Sequence, residues 1–275
     1  MSFEPINSDH AIQSCQFGFA LSRAVKHTTL QSIFEAHPHW MQLLPAISMG
    51  NASEFEAEAV TPLSPTRSKQ GLLSAYLQPN GSADWQFRIF HNQVDVICSR
   101  YTRWDHVWSQ AKQLFGYALG GIQKNEKDLR VVSVGLRVVD HFSTGESYNL
   151  SELFKPNDLL PKSVYGSKRM WHCHLGWFDD PAESSNLSHI NFDALHQTIV
   201  SGPGDEMERT IIQIVHTLQY RLTADASDVT EWLVTADVIR KIERAMSDHH
   251  ASNKSLLRAL LHKSMADRIG LGTHQ

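Results

Sequence analysis

Along residues 84–90, DWQFRIF, Trp85, Phe87 and Ile89 alternate with Gln86 and Arg88. A period of two is that of a strand with one buried face. The same alternation puts Phe17, Phe19 and Leu21 together in 14–21, and apolar runs over 71–78 and 93–99 predict two more strands. His91-Asn92 marks a tight turn between 84–90 and 93–99. Over 101–122 the period lengthens: Trp104, Val107, Trp108, Ala111, Leu114, Phe115, Ala118, Leu119 and Ile122 recur at helical spacing. Thr102 with Asp105 is expected to cap this helix and Gly120-Gly121 to end it. Residues 28–44 read as helical to Ala36, with Pro38 opening a second short helix, and 61–70 as a polar, proline-bearing loop.

The second half has a similar cadence. A strand is predicted over 129–142, a short helical crossover over 151–160, and strands over 171–178, 188–195 and 209–222, with SGPGDE (201–206) as a hairpin loop. Helices follow from about Thr230 to Ile269, broken near DHHASN (248–253). Asp228 with Glu231 forms a capping box for the first, and Ser252 caps the last, whose stripe is Leu256, Leu257, Leu260, Leu261 and Met265. The element order suggests two similar β-α-β-β-β-α halves, about 12–125 and 128–271, without residue-level identity. The expected fold is a single α+β domain over 1–275, a curved antiparallel sheet with long helices packed on one face.

The strand phases point to a surface. In 171–178, Trp171, Cys173, Leu175 and Trp177 take one side and His172, His174 and Gly176 the other. In 188–195 the polar side holds His189, Asn191 and Asp193; in 129–142 it holds Ser133, Gly135, Arg137 and His141; in 209–222 it holds Gln219 and Arg221. If the apolar sides meet the helices, Arg137, His141, His172, His174, His189, Asp193, Gln219 and Arg221 share an outward face that is almost free of Lys and Glu. Such a face is the first candidate for binding a protein or a small polar ligand.

Composition narrows the classes. At 275 residues, 41% hydrophobic and 20% charged, the chain is long and apolar enough for a sizeable core. A net charge of −4 gives no overall attraction to nucleic acid or an anionic membrane. Cys15, Cys98 and Cys173 form no CxxC pair and read as reduced thiols. The start, MSFEPINSDHAIQ, lacks the features of a signal peptide, and no run is long enough to span a membrane, so a cytoplasmic protein is expected.

Two alternatives compete with the binding face. His172 and His174 with His189 or Asp193 could chelate Zn or Fe in a hydrolase, although no HExxH or carboxylate-rich loop accompanies them. Lys254, Arg258 and His262, spaced four apart in a basic C-terminal region, could meet phosphates. HPH (37–39) and DHH (248–250) are explained by local capping. There is no GxSxG, GxGxxG or P-loop, and no cofactor is indicated. A helix lying on a curved sheet can also leave a cavity beside Trp104, Trp108 and Phe115.

Four stretches, YTRWDHV (101–107), VGLRVVDHF (134–142), ELFKPNDLLP (152–161) and HASNKSLLRALLHKSMADRIGL (250–271), resemble in order a sporadically distributed bacterial family of uncharacterised proteins of about this length. Gly135 and Arg137 keep the family's pattern for the strand after the long helix; Asp140 and His141 depart from it. The resemblance implies no catalytic residues or cofactor. Its patchy distribution implies an accessory binding protein of mobile elements or phage-defence islands, with Arg137 bracing the polar sheet face or meeting a partner carboxylate or phosphate.

Overall fold

The computed structural model describes residues 2–51, 70–145, 148–166, 170–179, 184–202, 205–222 and 232–272. Among these, ten strands make one antiparallel sheet: β1 (Glu4–Pro5), β2 (Ile12–Leu21), β3 (Ala46–Asn51), β4 (Gln70–Leu77), β5 (Ala83–Phe90), β6 (Gln93–Cys98), β7 (Val131–Thr144), β8 (Trp171–Asp179), β9 (Ser184–Gly202) and β10 (Asp205–Leu222). The order across the sheet is β3-β4-β5-β6-β2-β7-β10-β9-β8, with β1 beside β7. Outward from the central β2–β7 pair, one side runs β6, β5, β4 and the other β10, β9, β8. The α+β class and the antiparallel sheet match the expectation from alternation.

Helices α1 (His27–Glu35), α2 (Trp104–Asn125), α3 (Lys162–Tyr165), α4 (Val238–Leu260) and α5 (Lys263–Arg268) complete the chain. Phe17, Phe19, Phe87, Val94, Val96, Val134 and Leu136 on the inner strand phases pack with Ile33, Leu114, Phe115, Ile242 and Met246 of α1, α2 and α4. A second apolar cluster joins Phe142, Ile190, Phe192, Ile212 and Ile214 to Leu257, Leu260 and Met265 of α4 and α5. No described helix is long and apolar enough to cross a membrane.

Several boundaries differ from expectation, each for a local reason. α2 starts after an extended Arg103 with no side-chain cap, so Thr102 does not cap it. Nor does the glycine pair end it. A Cβ on Gly121 would lie 2.4 Å from Cγ1 of Ile33, so this glycine is where α1 packs tightly against an uninterrupted helix. The predicted break at 248–253 is absent because His249 and Asn253 have interior partners, and Ser252 is therefore mid-helix. The chain turns instead at Leu261, which bridges Phe154.

In place of the crossover helix there is a 3-10 turn, Leu150–Glu152. Beyond it an Asn157 side chain accepts from the Leu159 and Leu160 amides at 3.0 and 2.9 Å. Pro38 opens a single 3-10 turn, His37–His39. Strand β3 has no counterpart in the sequence reading. The Asp228–Glu231 capping box and most of the 61–70 loop fall outside the described residues.

Candidate functional site

Register decides which side chains share the outer face. Arg137 of β7 lies opposite Gln16 of β2 and Thr217 of β10, Thr217 opposite His189 of β9, and His189 opposite Gly176 of β8. One row of the same phase is Val139, Val215, Asn191 and His174; the next is His141, Gln213, Asp193 and His172. All seven predicted binding residues, Arg221 included, therefore lie on one face of four adjacent strands.

Their bonding separates them. The ring of His141 donates from Nε2 to Oε1 of Gln213 at 2.8 Å, and Gln213 donates to Oδ2 of Asp193 at 3.4 Å, a relay along one row. Partial burial pushes His141 below the ordinary histidine range. Arg221 donates to Gln219 at 2.8 Å, and Gln219 to Ser133 at 3.3 Å, which fixes that end of the face. The exposed His172 and His174 rings lie 5.3 Å apart, and His174 and His189 lie 6.2 Å apart, centroid to centroid. They form a row of imidazoles. Among the described residues no three His, Cys, Asp or Glu side chains gather as a metal-binding group.

Arg137 is different. It makes no hydrogen bond or ion pair within the described residues, and desolvation by the surrounding sheet lowers its pKa. It borders a hollow of about 200 Å³ at the centre of the sheet, where Gly18 faces Gly135 across β2 and β7. A Cβ on Gly18 would meet Oδ1 of Asp95 at 2.5 Å, so the bare backbone there lets Asp95 lie flat beneath the hollow. Asp95 is already engaged by Gln16 at 3.0 Å and Arg88 at 3.1 Å. It does not neutralise Arg137.

The basic stripe is not realised as predicted. Arg258 donates to the Leu271 carbonyl at 2.7 Å, and His262 stands outside α4, at the start of α5, 3.1 Å from the Ser264 hydroxyl. Lys254, the third, makes neither an ion pair nor a side-chain hydrogen bond among the described residues.

The inner face holds a polar seam that the sequence reading did not single out. Between the two apolar clusters β7 carries Asp140, β10 carries His216, and α4 carries His249 and Asn253. Nδ1 of His216 meets Oδ1 of Asn253 at 2.8 Å, and Nε2 of His249 meets the Val134 carbonyl at 3.2 Å. Burial pushes His216 down to about 4. Asp140 is 1% exposed, its Oδ2 has no partner among the described residues, and burial raises it to about 7.

The seam opens into a cleft of about 310 Å³ between the sheet, the start of α2 and the middle of α4. Tyr101, Trp104, Asp140, His250 and Asn253 are among its walls. Cys15 also lines it and lies opposite Cys98 across β2 and β6, two thiols distant in sequence brought together as free cysteines. No protein-family profile, curated protein or solved structure matches this chain.

Proposed function

We propose that the protein is an accessory binding protein whose outer sheet face takes an oxyanion, a carboxylate or phosphate carried by a small polar ligand or a partner, at Arg137. The observation that carries this reading is the guanidinium left without a partner beside a glycine-floored hollow. A guanidinium offers five donors in a planar fork that matches two oxygens of such a group. His189 lies two strands away on the same cross-strand row, and the other imidazoles continue from there, adding donors without adding bulk at the hollow.

We read the strand order around β2 and β7 as that of two similar halves meeting at Gly18 and Gly135, which puts the hollow at their junction. The accessory, mobile-element setting implied by the family resemblance is part of the same proposal.

Calorimetric titration with inorganic phosphate and with acetate tests it. Wild-type protein binds, Arg137→Lys binds more weakly because the fork is lost, and Arg137→Ala with His174→Ala loses most of the affinity while melting like wild type. Wild-type affinity in that double variant ends the proposal.

A further inference from the structure

We propose that the inner cleft is a second site, on the opposite face of the sheet from Arg137, and that it binds a small organic ammonium whose N–H donates to the Asp140 carboxylate while its carbon body lies against Trp104 and Tyr101. Three independent features lead there.

The first is the orphan oxygen. Buried polar atoms are almost always paired, and an unpaired carboxylate inside a protein is among the costliest exceptions. Asp140 projects from the phase that otherwise holds Val134, Leu136, Val138 and Phe142, and its Oδ2 finds no donor among the described residues. The cations that line the cleft do not supply one. Arg103 is held by Asp9 at 3.1 Å, and Lys254 makes no ion pair with Asp140. A ligand donor would complete the carboxyl, and a cationic donor would do so most strongly.

The second is the wall. Trp104 stacks on the His250 ring at 3.8 Å with planes 4° apart, and on Trp108 at 6.2 Å with planes 14° apart. Tyr101 is braced edge-on by His10 at 5.2 Å. Rigid aromatic surfaces near a buried carboxylate favour a cation with an apolar body, through dispersion and cation–π attraction. His250, held neutral by its burial with a pKa of about 4, adds no competing charge at neutral pH.

The third is size and access. About 310 Å³, open at the junction of α2 and α4, admits a small molecule and not a polypeptide segment. An anion would be repelled from the floor, and a neutral alcohol would gain the hydrogen bond without the charge.

The test is a titration with benzylamine, butylamine, benzyl alcohol and benzoate, followed by tryptophan fluorescence and by amide shifts in the ¹H–¹⁵N spectrum. Benzylamine at neutral pH should bind saturably, shifting Trp104, Asp140 and Asn253, and at least about tenfold more tightly than benzyl alcohol, the increment of one charge-assisted hydrogen bond. Asp140→Asn, near-isosteric and uncharged, should lose that preference. Trp104→Ala should weaken benzylamine more than butylamine, and Arg137→Ala should change neither. Equal affinity for amine and alcohol, an undiminished preference in a folded Asp140→Asn, or no saturable binding of either amine would overturn the proposal.

Discussion

Asp140 is one residue from His141 and three from Arg137, yet strand alternation sends it to the opposite face and into the interior. Its carboxyl is raised from 3.8 to about 7 by burial alone. Between those values the folded state holds a proton that the unfolded chain has released, so this group makes stability fall as pH rises, and the penalty is complete above about 7. A shift of that size corresponds to roughly 4 kcal/mol. Asp140→Asn should therefore be more stable than wild type in urea denaturation at pH 8 by a few kcal/mol, with the difference shrinking as the pH is lowered toward 4. A difference independent of pH would show that the carboxyl's charge is not what costs stability. The signal was present in the sequence: a lone acid in an apolar phase, Val134-Leu136-Val138-Asp140-Phe142, breaks the rule that the rest of the strand obeys.

Among elements, α2 separates two uses of glycine. Gly121 touches Ile33 of α1, which is 2% exposed and has nowhere to move, whereas Gly120 has open space where a Cβ would go. Gly121→Ala should lower stability by about 1–3 kcal/mol through overpacking. Gly120→Ala should raise it by about 0.5–1 kcal/mol through helix propensity and a less flexible unfolded chain. Thermal melts of the two variants check this, and shifts of the same sign would refute the packing argument.

The predicted helix end and the predicted break in α4 failed for one reason. Local composition signals the end of an isolated helix, and it does not register a partner supplied from elsewhere in the chain. Ile33 explains the glycines, and His216 with the Val134 carbonyl explains Asn253 and His249. The strands were legible because alternation is a local signal. β3 was missed because it is a short strand at the sheet edge with little alternation to see.

For the molecule as a whole, one sheet presents two different chemistries. The helix-covered side is mostly apolar and holds the seam, and the other carries Arg137 and the imidazole row. That outer grouping follows from phase plus antiparallel register, and phase alone was enough to expect it. The cleft required knowing that β7, α2 and α4 converge, which no local pattern encodes.

The seam and the cleft wall also shape the acid response. His216 and His250 are both pushed down to about 4 by burial, so between 6.5 and 4 the unfolded chain binds two protons that the folded state refuses. Asp140 opposes them with one, leaving stability to fall as pH drops through that window. The thermal midpoint should decline from pH 6.5 to 4, more steeply in Asp140→Asn; a flat or rising midpoint would contradict the buried, neutral histidines.

In the function we propose, Arg137 takes an oxyanion at the middle of the outer face. Following its Nε–H resonance during titration with inorganic phosphate tests this most directly. A saturable shift is expected at Arg137 together with the Gly135 and Thr217 amides, and its loss at both amides in Arg137→Ala. An Arg137 resonance that stays unmoved, or amide shifts that persist without the guanidinium, would contradict it.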